Sequence, residues 1–122
     1  MYKQGIALEP GVIRDLLAHC EAYTITRLFI DSGTLNSFHS HSNSQAIFIM
    51  SGKGVFRTGA KYEEVIPGEC LQIQPNVLHG FCEVSERVQM LEFFTPGRPD
   101  IASAHRANDS ERPGNTDKER TE

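Results

Sequence analysis

The sequence predicts an all-β, single-domain protein folded as a small barrel or jelly roll. Two observations predict it. Short runs rich in β-branched and aromatic residues recur along the chain, and Gly or Pro interrupts them at close, regular spacing. A third supports it: Gly11 to Cys20, with Val12, Ile13, Leu16 and Leu17, is the one segment whose apolar spacing also fits a short helix.

Taken in order, Tyr23 to Asp31 is the first strong strand, closed by Gly33. Gln45 to Ser51 carries apolar residues at successive positions, the pattern of a strand buried on both faces, and runs into Gly52-Lys53-Gly54. Val55-Phe56-Arg57 leads into Thr58-Gly59-Ala60-Lys61, which predicts a hairpin turn. Tyr62 to Ile66 ends at Pro67-Gly68, and Cys70 to Gln74 ends at Pro75-Asn76. His79 to Val84 and Arg87 to Thr95 follow, the latter stopped by Pro96-Gly97. Tyr23, Phe38, Phe48 and Phe81 are expected as core or pocket walls. From Ala102 to Glu122 there is no Val, Leu, Ile, Met, Phe, Tyr or Trp, so residues 1–101 are expected to form the barrel and residues 102–122 a flexible polar tail.

Composition narrows the function classes. The chain has 122 residues, 39% hydrophobic and 23% charged, which suits one globular core. A net charge of −4 argues against a nucleic-acid partner. No apolar run is long enough to span a bilayer and none follows Lys3 as a secretory leader would, so a cytoplasmic protein without a membrane partner is expected. Cys20, Cys70 and Cys82 are in no metal-finger spacing and are expected as buried, reduced thiols.

The histidines carry the chemistry. His39 and His41 are two apart, so on a strand both rings face one side, and Gln45 shares their parity. His79 opens a later strand that a barrel can bring beside them. Three imidazoles and an amide oxygen form a donor set for one divalent transition metal, and Ni, Zn, Fe, Mn and Cu all suit it. His19 has no partner at ligand spacing and His105 lies in the polar tail; neither is assigned a role.

The surrounding residues strengthen this reading. Gly33, His39, His41, Gln45 and Gly52, at that spacing, resemble the first signature motif of the cupin superfamily, with Gln45 where most members have Glu. Gly68 followed by Gln74-Pro75-Asn76-Val77-Leu78-His79 resembles the second motif, with Asn76 at its usual glycine. That resemblance implies a jelly-roll barrel, a metal inside its wider mouth and a homodimer. His39-Ser40-His41 with Gln45, Gln74 to Gly80, and Phe94-Thr95-Pro96-Gly97-Arg98 are similar to small single-domain cupins of the KdgF type. Those convert 4,5-unsaturated uronates into the open-chain keto acid. Position by position, the likeness implies His39, His41, Gln45 and His79 as metal ligands, Glu92 as the active-site acid (Asp in the family pattern), Phe94 as the pocket aromatic and Arg98 as the arginine.

The residues support such roles on their own terms. A neutral amide at Gln45 leaves the metal's charge uncompensated, which favours Lewis-acid over oxygen chemistry and attracts an anionic substrate. Glu92 shares parity with Val88, Met90 and Phe94, and an inward carboxylate between apolar burial and a cation is suited to proton transfer near neutral pH. Arg98, past a Pro-Gly turn, suits bidentate capture of a carboxylate. Arg27 and Arg57 are further candidates for the pocket. The leading expectation is a metal-dependent, non-redox enzyme that opens and tautomerises a small anionic, sugar-derived substrate. The alternatives are an iron-dependent dioxygenase, a lyase or cyclase of specialised metabolism, and a non-catalytic small-ligand-binding cupin.

Overall fold

The computed structural model describes residues 2–34 and 37–106. Seven antiparallel strands form one sheet in the order β1-β2-β3-β7-β4-β5, with β6 on the free edge of β4. They are β1 (Ile6–Glu9), β2 (Val12–His19), β3 (Thr24–Ile30), β4 (Ser44–Thr58), β5 (Lys61–Glu64), β6 (Cys70–Ile73) and β7 (His79–Thr95), followed by helix α1 (Pro99–Ala104).

β4 and β7 are the frame. Both run straight through the glycine and polar positions where the sequence suggested breaks, because register shifts at Ile49/Ser51, Ser51/Lys53, Lys53/Gly54 and Val55/Phe56 bend the pair without ending it. Gly52 has φ 106°, and a Cβ there would run into the Arg87 carbonyl of β7. β6 pairs with the first part of β4, from Gln45 to Phe48, and β5 with its last part, from Val55 to Thr58.

Strand alternation sorts the side chains. Ile47, Ile49 and Phe56 of β4 face Leu28 and Ile30 of β3 and Phe81, Val88 and Met90 of β7 in one buried cluster. The outward positions between them hold Phe48 and Met50, which are exposed, so β4 is not buried on both faces as expected. Tyr23 and Phe38 are also exposed, Tyr23 stacking on Phe93 with ring centroids 5.8 Å apart, whereas Phe81 is in the core as expected. All three cysteines are free, in keeping with reduced thiols, but exposed rather than buried: Cys70 and Cys82 neighbour inward Leu71 and Phe81, so the pleat turns them out.

Gly11 to Cys20 forms a strand, not a helix. Its apolar pairs fit either period, and pairing with β3 from Val12↔Ile30 to His19↔Thr24 decides it by covering an otherwise open edge. The fold also extends beyond Ile101. Helix α1 continues to Ala104, Ile101 packs with Leu16 and Phe94, and His105 is fully buried. The remainder of the expected tail, 107–122, lies outside the described residues. Among the described residues no helix is long and apolar enough to cross a membrane.

Candidate metal centre

His39 and His79 form an antiparallel bridge, each backbone N–H donating to the other's carbonyl at 3.0 and 2.9 Å. Asn76, in the left-handed region at φ 66°, donates its N–H to the His41 carbonyl at 2.6 Å. These bonds clamp the 39–41 segment against the start of β7. The three imidazoles meet: their ligand atoms all lie within 4.8 Å of one another. Ring centroids are 4.4 Å apart for His39 and His79 and 5.0 Å for His41 and His79.

Hydrogen bonds orient each ring. Nδ1 of His39 faces the Ser37 carbonyl at 3.3 Å, Nδ1 of His41 the Asn43 carbonyl at 3.2 Å, and Nδ1 of His79 the Val77 carbonyl at 2.8 Å. A carbonyl only accepts, so each Nδ1 donates and each Nε2 is left with a lone pair, the tautomer a metal requires. His79, 2% exposed, has no hydrogen-bond partner at Nε2 among the described residues. Burial pushes its pKa down to about 4, reinforced by the neighbouring imidazoles, so it is neutral near pH 7.

Gln45, 4% exposed, completes the set. Its Nε2 donates to Glu92 Oε2 at 2.8 Å, which fixes the amide's orientation and leaves Oε1 2.8 Å from His41 Nε2. With His41 Nδ1 donating to a carbonyl, two acceptors then face each other, a repulsive contact unless a cation or a second imidazole proton lies between them. The converging lone pairs and the partnerless His79 Nε2 fit a divalent metal held by His39, His41, Gln45 and His79.

Cross-strand register places the acid. Glu92 of β7 lies opposite Thr26 of β3 and Ile47 of β4. It is inward, 7% exposed, and accepts from the Thr26 hydroxyl through Oε1 at 2.8 Å. Burial pushes its pKa up, against the opposing pull of Thr26, His39, Arg14 and Gln45.

A cavity of about 260 Å³ opens beside these groups, lined by His39, His79, Glu92, Phe94 and Arg98 among others. Phe94 packs edge-on against His41 with centroids 5.5 Å apart, and the Arg98 guanidinium lies 5.1 Å above the Phe94 ring. Arg98 is already paired: Nε and Nη2 donate to the two carboxylate oxygens of Asp100 at 3.0 and 2.8 Å.

Arg27 and Arg57 do not join this wall, contrary to expectation. Arg27 sits between buried Thr26 and Leu28, so it turns outward to Asp15 at 2.9 Å. Arg57 follows buried Phe56 and turns out to the Gly59 carbonyl and the Phe38 ring. The cavity instead contains Arg14 of β2, which sequence reasoning missed. A period-2 reading of Val12, Arg14 and Leu16 would have found it. His19, unassigned from sequence, bonds the Thr24 hydroxyl through Nδ1 at 2.7 Å.

Solved structures share this architecture. An RmlC-like cupin from Shewanella frigidimarina superposes with a TM-score of 0.74 at 19% identity, covering 83% of this chain and 87% of that one. KdgF from Halomonas sp. gives 0.73 at 20% identity, covering 83% and 92%. An uncharacterised protein of Streptomyces coelicolor is 28% identical over 67 residues, 55% of this chain and 64% of that protein, so the match spans less than two thirds of the relative's length. The Cupin_2 family model, the cupin domain, matches residues 27–94, over half of the chain, and the protein therefore belongs to the cupin domain family.

Proposed function

We propose that this cupin is a metal-dependent, non-redox enzyme that promotes ring opening and keto–enol tautomerisation of a small anionic, sugar-derived substrate, of the kind represented by unsaturated uronates. The observation that carries the reading is Glu92: a buried carboxylate, held by Thr26 and Gln45, on the wall of the cavity that His39 and His79 also line. A divalent cation held by His39, His41, Gln45 and His79 would supply Lewis-acid polarisation of a substrate oxygen.

The chain's own groups do the rest. Glu92 gives or takes the proton at the substrate carbon, from a position fixed by two hydrogen bonds. Phe94 forms the apolar wall and keeps water from that proton. Arg98, stacked on Phe94, lends positive charge at the cavity wall. The similarity in fold to KdgF from Halomonas sp. supports the substrate class, as does a cavity of about 260 Å³, near the small end of ligand sites.

The test is loss of the conjugated ultraviolet absorbance of unsaturated uronates on incubation with metal-loaded protein, after elemental analysis has identified the metal. Persistence of that absorbance, with oxygen uptake by ferrous-loaded protein on other substrates, overturns the reading.

A further inference from the structure

Arg14 is a cation of this cavity that is in no ion pair among the described residues. It stands on β2, opposite Leu28 of β3, and lines the cavity with Glu92, Arg98 and His39. Among the described residues, Arg27 is ion-paired to Asp15 and Arg98 to Asp100, while Arg14 has no carboxylate partner. Its Nε donates to His105 Nε2 at 3.0 Å. His105 is fully buried, and its Nδ1 donates to the Lys3 carbonyl at 2.7 Å, so the tautomer that accepts from Arg14 is fixed by the backbone of the N-terminal segment.

This arrangement leaves one side of the guanidinium to the cavity. Burial, with the positive charge of Arg98, opposes the charged form of Arg14, while the Glu92 and Asp100 carboxylates favour it through space, and a guanidinium stays protonated under all ordinary conditions. The half-buried guanidinium is in no ion pair among the described residues, and its bond to His105 uses Nε, leaving the Nη hydrogens for a planar, bidentate acceptor.

We propose that Arg14 is the carboxylate anchor of the cavity and that His105 is a positioning residue that aims it. The ligand class is a small carboxylate, and Arg98, whose fork Asp100 occupies, contributes charge more than direct contact. This rests on the proposed function only in taking the substrate to be anionic.

The test is calorimetric titration of the metal-loaded full chain with galacturonate and with malonate, using galactose as the neutral control. Both carboxylates are expected to bind more tightly than galactose. Arg14→Gln should weaken both by about tenfold or more, the scale of one charge-assisted bidentate contact, and leave galactose unaffected. Arg14→Lys keeps the charge without the fork and should recover part of the loss; it also serves if Arg14→Gln does not fold. His105→Phe, which fills the space but cannot accept, should weaken carboxylate binding at unchanged metal content, and His105→Gln should restore it. Carboxylate affinity unchanged in both Arg14 variants, or wild-type protein that prefers neither carboxylate to galactose, overturns the proposal. Failure of the isomerase reading looks different: unsaturated-uronate absorbance then persists while Arg14-dependent galacturonate binding remains.

Discussion

Gln45 donates its amide hydrogen to Glu92 at 2.8 Å while presenting its amide oxygen to His41 at the same distance, so one neutral side chain joins the metal donors to the buried acid. A glutamate could not do both, since an ionised carboxylate has no hydrogen to give. The amide at this position therefore goes with Glu92 as much as with the metal.

Gln45→Glu should consequently destabilise the metal-free protein. It places a second carboxylate against buried Glu92, and one of the two must then hold a proton. A loss of roughly 1–3 kcal/mol is expected for breaking such a buried contact. That corresponds to a drop in Tm of about 4 °C per kcal/mol for a domain of this size. Thermal unfolding with and without nickel checks it: the deficit should shrink on loading, because the added negative charge then faces a cation. An unchanged apo Tm would show that the Gln45–Glu92 bond contributes nothing.

Glu92→Gln should separate chemistry from metal binding. The amide keeps nearly the same volume; its oxygen can accept from Gln45 Nε2 and its NH2 can donate to the Thr26 hydroxyl, which accepts as well as donates, so elemental analysis should find wild-type metal content. Turnover should fall by about 10²–10⁴-fold, the usual contribution of a positioned acid–base group. Retained activity at full metal occupancy would remove Glu92 from the reaction.

Metal removal should be visible in stability as well as in activity. A ligand that binds only the folded state adds about 2.7 kcal/mol when present at a hundred times its Kd, and chelation takes that away. His79→Ala should abolish the difference between chelated and loaded protein, because it deletes the buried donor whose Nε2 has no protein partner. The comparison is one of Tm shifts, loaded against chelated, in wild type and variant. An equal shift in both would place the metal elsewhere.

The parts of this site that were legible in sequence share a physical cause. His39, His41, Gln45 and His79 lie at fixed spacing between glycine turns, and Glu92 follows from two-residue parity with Val88, Met90 and Phe94; those patterns are local, so the sequence displays them. Arg14 was obscured because Val12, Ile13, Leu16 and Leu17 satisfy a helical and a strand period equally, and only pairing with β3 chooses between them. His105 was obscured for the opposite reason. Nothing strongly apolar follows Ile101, so that segment reads as a tail, yet the folded segment there is held by Ile101 packing on Leu16 and Phe94 and by polar bonds to Lys3 and Arg14. Arg27 and Arg57 lie on strands of the barrel, but alternation beside inward Thr26, Leu28 and Phe56 turns both outward, and that facing is fixed by strand pairing.

Protonation of buried histidines should weaken the metal-free fold from about pH 6.5 downward, with His105 accounting for part of it, while buried Glu92, whose pKa burial raises above 4.5, acts in the opposite sense. Burial lowers its pKa below 6.5, opposed by the Lys3 carbonyl, lowered further by Arg14 and raised by Asp15. The unfolded chain therefore binds a proton at a pH where the folded protein does not, and stability rises with pH across that interval. The stabilisation is complete above 6.5 and is lost as pH falls through the folded value. His79, pushed down to about 4, acts in the same direction over 6.5 to 4. Asp15 adds a separate, more acidic loss. Burial raises its pKa, but hydrogen bonds from Arg27 and the Gly5 amide outweigh this and hold it below 3.8, so its contribution fades only as pH falls below 3.8. Urea unfolding of chelated protein between pH 7.5 and 5 should show the first interval, and His105→Gln, which has no proton to take up, should flatten the slope there. A variant slope equal to that of wild type would remove His105 from the acid sensitivity.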